Sequence, residues 1–175
     1  MSQTAAFIKR LEDIEEGERS RLRRLAGKPL DETLQGFDLF TGLWWPIRQR
    51  SPFAPRRETS WIVAKLYGAF PITHVQGQTV ASLLGRLEPQ DGRERHKRPH
   101  FRRFDALLCS SLLGIEPHLR WAMKSVTDAI ATQRASGLDW AQLLDDLSIW
   151  DRGEENRRNR DVRDIWAEQY LNSTK

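Results

Sequence analysis

Apolar residues recur along this chain at spacings of three and four, the signature of helices with one buried face, and no segment alternates as a half-buried strand does. Phe7, Ile8, Leu11 and Ile14 open the series, and Leu22 and Leu25 continue it beyond Gly17. A linker holding Pro29 and Gly36 precedes a short apolar helix on Phe37, Phe40, Leu43 and Trp44, which Pro46 is expected to stop. Residues 51–55 carry two prolines and read as a loop. Thr59 or Ser60 is then placed to cap a helix using Trp61, Val63, Leu66, Tyr67 and Phe70, ended by Pro71. Val80, Leu83, Leu84 and Leu87 predict another helix before Pro89.

The second half repeats the pattern. Phe101, Phe104, Leu107, Leu108 and Leu112 form a buried stripe that ends near Gly114. Pro117 falls in the first turn of the next helix, where its missing N–H does no harm, and that helix runs through Leu119, Met123, Val126 and Ile130 to Gly137. Leu138, Asp139 and Gln142 suggest a staple and a capping box ahead of Trp140, Leu143, Leu144, Leu147 and Trp150 on one face. After Gly153, Val162, Ile165, Trp166 and Tyr170 turn one side of a last helix inward. The predicted fold is all-α, a compact bundle of about eight or nine helices. It reads as a single domain over 1–175, divisible into helical lobes 1–88 and 101–175 joined by a basic loop at 89–100.

Composition adds bounds. A chain of 175 residues buries roughly 70% of the surface its unfolded form exposes, so it needs no disulfide or metal as a staple. Cys109 is the single cysteine, which excludes an internal disulfide and suits a reducing compartment. Charges interrupt the N-terminal apolar run, against a signal peptide, and no stretch is long and apolar enough to span a bilayer. A cytoplasmic protein without membrane contact is expected.

Charge changes the picture more through its distribution than its total. The net charge is only +4. Five bases and no acid lie between Arg19 and Lys28, and four bases without an acid between Arg48 and Arg57. Six bases from Arg93 to Arg103 are opposed by Glu94 alone, while acids gather at 12–18 and 139–151. Most of the bases are arginines, whose planar guanidinium forks onto phosphate oxygens. Such segregation points to a polyanion, and without a zinc finger, ribonucleoprotein motif or basic zipper the economical expectation is contact with the backbone rather than the bases. The candidate nucleic-acid-binding residues are Arg23, Arg24, Arg56, Arg57, Arg93, Arg95, Lys97, Arg98, Arg102, Arg103, Arg152, Arg157 and Arg158.

Other chemistry finds little support. His96 and His100 are four apart, but Pro99 and the bases Lys97 and Arg98 disfavour a shared metal ion. Asp145 and Asp146 are adjacent, so on a helix they point about 100° apart, and a solvated face explains them better than a nuclease pair. Cys109 among leucines reads as a small buried hydrophobe. Trp140, Trp150 and Trp166 fall on apolar stripes and read as core, whereas Trp44, Trp45 and Trp61 stay open between packing and stacking on unpaired bases. No catalytic residue, metal site or cofactor is assigned.

Ordered motifs carry a resemblance. The string Leu138-Asp139-Trp140-Ala141-Gln142-Leu143-Leu144-Asp145-Asp146-Leu147, followed by Trp150 and Arg152, resembles the signature of the CasB family, the small subunit of the type I-E CRISPR Cascade complex. Ser82-Leu83-Leu84-Gly85-Arg86-Leu87 is similar to that family's LGRAL helix, Arg102-Arg103-Phe104 with Leu107-Leu108 to its RRF..LL stretch, and Leu22-Arg23-Arg24 to its N-terminal arginine pair. The segments Gly92 to His100 and Trp44-Trp45-Pro46 fall outside the pattern. The resemblance implies a non-catalytic all-α subunit, present as two copies, whose partners are the other Cascade subunits, guide RNA, and single- and double-stranded DNA, and which stabilises the R-loop through phosphate contacts. Two rivals are a helical DNA-binding regulator and a protein–protein scaffold that never touches nucleic acid.

Overall fold

A computed structural model of the chain describes residues 2–32, 34–89, 94, 97–151 and 160–174. Nine α-helices occur among them: α1 (Gln3–Glu12), α2 (Glu16–Arg24), α3 (Leu34–Arg50), α4 (Arg57–Ala69), α5 (Val80–Leu87), α6 (Phe101–Leu108), α7 (Glu116–Ala131), α8 (Trp140–Ser148) and α9 (Val162–Ser173). Short 3₁₀ turns occupy Leu30–Glu32 and Leu112–Gly114. The described residues hold no strand, only an isolated bridge between His74 and Leu138, so the chain is all-α as the spacing predicts. Among these residues no helix is long and apolar enough to cross a membrane.

The residues group into two compact units, one of Met1–Ile72 with Trp140–Ser148, the other of Thr73–Asp139 with Ile149–Lys175. In the first unit, Phe7, Leu11, Leu22, Phe40, Trp61, Leu66, Trp140 and Leu144 are buried together. Phe40 is the hub of the aromatic contacts, edge-on to Phe7 at 6.4 Å and to Trp61 at 5.6 Å. The indole N–H of Trp140 donates to the Ile72 carbonyl at 2.7 Å, which satisfies the one polar group that this large buried ring brings inside.

In the second unit, α5 and α9 are the most intimately packed pair of helices, and Gly85 is the reason. A Cβ there would run into the Tyr170 carbonyl and come within 2.9 Å of the Ser173 Cβ. Phe104 stacks on Tyr170 at 4.3 Å and Trp150 meets Trp166 edge-on at 5.1 Å. The Tyr170 hydroxyl donates to the buried Glu88 carboxylate, whose Oε1 also accepts the His100 N–H at 3.0 Å. Burial first, and then the bond to Glu88, push the Tyr170 pKa far up from its ordinary value.

Several sequence expectations are corrected. The third helix does not stop at Pro46 but runs on to Arg50. Beyond the proline Ile47 is buried, and Arg48 Nη1 donates to the Pro52 carbonyl at 2.6 Å. The Trp44 indole N–H donates to the Pro55 carbonyl at 2.9 Å. These contacts offset the cost of an interior proline, about 3 kcal/mol. Helix α4 begins at Arg57, so Thr59 and Ser60 lie buried inside its first turn rather than capping it, with the Thr59 hydroxyl donating to the Arg56 carbonyl at 2.9 Å.

Helix α6 ends at Leu108, not near Gly114, because the Trp150 indole N–H holds the Ser110 carbonyl and the Asp151 carboxylate accepts the Leu112 N–H. Cys109 therefore sits at the helix end, exposed, and not in the core. Helix α7 ends at Ala131 rather than Gly137, since Gln133 adopts a left-handed φ of 59°. Asp146 is buried and accepts from Gln142 Nε2 at 2.8 Å, while Asp145 accepts from the Thr4 hydroxyl at 2.6 Å. Asp145 keeps the exposed position that the sequence suggested, whereas Asp146 is drawn out of solvent.

Candidate nucleic-acid interface

Helix α2 sorts its bases by helical geometry. Residues three, four and seven apart share a face, so Glu16, Arg19 and Arg23 align, while Arg21 and Arg24 point elsewhere. Glu16 lies 3.6 Å from both Arg19 and Arg23, and Arg23 Nε also donates to the Gly68 carbonyl at 3.4 Å. The sequence reading grouped Arg23 with Arg24; the structure separates them, Arg23 towards an acid and α4, Arg24 towards open solvent. Acids in the first turn (Glu16, Glu18) and arginines in the last complement the helix dipole.

The end of α2 is built to bring a further base alongside. Gly27 takes a left-handed φ of 75°, which a residue with a Cβ adopts only at a cost, and the Lys28 N–H closes onto the Leu25 carbonyl at 3.0 Å. Two donors from α4 then hold the Lys28 carbonyl, the Trp61 indole N–H and the buried Lys65 ammonium, each at 2.9 Å. The outcome is an open cavity of about 230 Å3 lined by Arg21, Arg24, Leu25 and Lys28, with no acid in its wall. Arg21 and Lys28 lie within the basic run seen in the sequence, yet nothing in the spacing distinguished them from Arg19 and Arg23.

The remaining candidates divide. Arg56 is exposed at the start of α4, and Arg57 beside it lies 3.7 Å from Glu58. Arg102 and Arg103 are exposed on α6, with the Arg103 guanidinium 5.8 Å from the centre of the Trp121 ring. Lys97 is exposed and pairs with Glu94 at 3.0 Å. Arg98 turns inward: its Nε and Nη1 are shut off from solvent without a hydrogen-bond partner, and its charge acts on the buried Tyr170. Arg93, Arg95, Arg152, Arg157 and Arg158 lie outside the described residues, as does His96. No group of three or more His, Cys, Asp or Glu side chains is arranged to hold a metal ion among the described residues.

The second unit contains a basic hollow that the sequence did not single out. Arg86 and Arg134, with Gln78, Ile130, Gln133, Ala135 and Ser136, line an open cavity of about 450 Å3. Gln78 organises its floor: Nε2 donates to the Ser136 hydroxyl at 2.6 Å while Oε1 accepts from the Gly137 N–H at 3.3 Å. The signal available was Arg86 in the last turn of α5, but only the left-handed Gln133 turn brings Arg134 to the same cavity.

Comparison with known proteins gives a consistent picture. The family model for the CRISPR-associated protein Cse2 matches residues 18–171. A crystal structure of a CRISPR-associated protein of the Cse2 family from Thermus thermophilus is 26% identical, covers 98% of this chain and 99% of that one, and superposes with a TM-score of 0.70. CasB from Thermus thermophilus is 25% identical with a TM-score of 0.67, over 98% of this chain and 99% of that chain. CasB from Thermobifida fusca, 19% identical over 97% of each chain, shares the fold at a TM-score of 0.71. Among curated protein sequences none matches.

Proposed function

The chain belongs to the CRISPR-associated Cse2 family, and we propose that within a CRISPR complex it serves as a non-catalytic subunit that grips nucleic acid by its phosphate backbone. The observation that carries this reading is the cavity walled by Arg21, Arg24 and Lys28 without an acid. Guanidinium and ammonium groups set on a rigid helix end give phosphate oxygens charge and hydrogen bonds at little ordering cost, and they treat every sequence alike. A guide-programmed complex requires that indifference. Exchange of a DNA duplex for an RNA–DNA hybrid is nearly balanced, so backbone contacts to guide RNA, target and displaced strand tip it towards the opened R-loop.

The test is salt dependence. If about four phosphates of a single strand are neutralised, the log–log slope of affinity against salt is about −2.8, a fall of roughly 50-fold between about 50 and 200 mM. Arg24→Ala with Lys28→Ala should weaken oligonucleotides of unrelated sequence alike and bring the slope to about −1.4. A loss confined to one sequence would favour a regulator, and binding indifferent to salt would favour a scaffold.

A further inference from the structure

Three tryptophans near the second basic run were open between packing and stacking, and the structure separates them. Trp61 is buried, with its indole N–H on the Lys28 carbonyl. Trp44 stacks on Phe40 at 6.0 Å and donates to the Pro55 carbonyl. Trp45 tilts against Trp44 with ring centres 6.2 Å apart, yet it is 47% exposed, and Phe53 in the following loop is 85% exposed.

The loop bearing Phe53 is held in place. Arg48 Nη1 fixes the Pro52 carbonyl at 2.6 Å, the Phe53 N–H donates to the Ser51 hydroxyl at 3.1 Å, and Trp44 fixes Pro55 at the far end. Those anchors lay the loop back along the turn of α3 that carries Trp44, Trp45 and Arg48. Two proline residues, Pro52 and Pro55, stiffen it further. Arg50 and Arg56 are exposed on either side in sequence, and no acid intervenes between Arg48 and Arg57.

Exposed flat rings in a stretch that carries cations and no acid suit a partner that is apolar on its faces and anionic along its edge. We propose that Trp45 and Phe53 form a stacking platform for unpaired bases of a single strand, with Arg50 and Arg56 against its phosphates. This rests on the nucleic-acid reading above, and adds to it a preference for opened strands over duplex, whose bases are already stacked. Base–aromatic stacking is indifferent to sequence because every base presents a π-face.

The experiment compares a labelled single-stranded DNA with a strand of equal length and charge that carries abasic sites through its centre. Full-length protein and the Trp45→Ala and Phe53→Ala variants are titrated against both, with circular dichroism to check folding. Each substitution should weaken the normal strand by about 5- to 150-fold, the range of a lost aromatic–base stack. It should leave the abasic strand and the salt slope unchanged, and Trp45→Phe should restore much of the loss. Equal losses on both strands, or none on either, would overturn the platform. So would variants that bind both strands normally yet fail to enter a reconstituted complex, which would assign the patch to a protein neighbour. Wild-type protein that binds neither strand overturns the nucleic-acid reading itself, whereas equal wild-type affinity for both overturns stacking alone.

Discussion

Glu88 is the most exacting single residue of the second unit, a carboxylate that is 2% exposed. Its Oε1 accepts from the Tyr170 hydroxyl and the His100 N–H, tying the end of the basic loop and α9 to the end of α5. Tyr170→Phe removes a donor and leaves the ring in place, which should cost about 1–3 kcal/mol in chemical denaturation, the penalty for an under-satisfied buried group. The pH dependence follows from the raised Tyr170 pKa. Below the ordinary phenol value of 10.0, folded and unfolded chains both keep the proton and the bond stabilises fully. As pH rises beyond it, the unfolded chain ionises first, so stability falls with rising pH. Tyr170→Phe should flatten that alkaline decline, and an unchanged profile would show that Tyr170 does not set it.

At the scale of elements, the closest helix pair depends on one missing side chain. Gly85→Ala would press its methyl group against the backbone of α9 at Tyr170, where nothing flexible can give way. The expected cost is about 1–3 kcal/mol, read as a lower denaturation midpoint with helix content kept. A neutral outcome would mean that α5 and α9 slide apart freely. The run Leu83-Leu84-Gly85-Arg86 thus does two things in successive residues, packing through Leu84 and Gly85 and presenting Arg86 to the basic hollow. Helix α3 shows the converse, where Pro46 reads as a stop but tertiary contacts beyond it carry the helix one further turn.

For the whole molecule, the proposed role predicts an effect on the opened target rather than on its first recognition. A CRISPR complex reconstituted without this chain should recognise duplex normally at the guide-proximal end. It should hold a shorter or shorter-lived R-loop beyond it, where strand exchange is nearly balanced. A reagent specific for single strands, applied to the displaced strand, measures the difference. Identical footprints and lifetimes with and without the subunit would remove that role.

The all-α class, most helix positions, and the buried faces of Trp140, Leu144, Trp150 and Trp166 were legible because helical periodicity is a local property that one strand of sequence records in full. The family was legible too, since its motifs are themselves short helix segments. What the sequence left undecided were matters settled by distant partners. Asp145 is met by the Thr4 hydroxyl from the other end of the chain, and Cys109 is exposed because Trp150 and Asp151 end α6 early. The basic run 19–28 records five charges but not their directions. Glu16 and Gly68 draw Arg23 away, and the Gly27 turn, held by Trp61 and Lys65, sets Lys28 beside Arg21 and Arg24. Periodicity states which side of a helix is apolar; the packed structure decides which polar side chains are drawn in, because partners such as Gly68 for Arg23 and Trp61 and Lys65 for Lys28 lie tens of residues away along the chain.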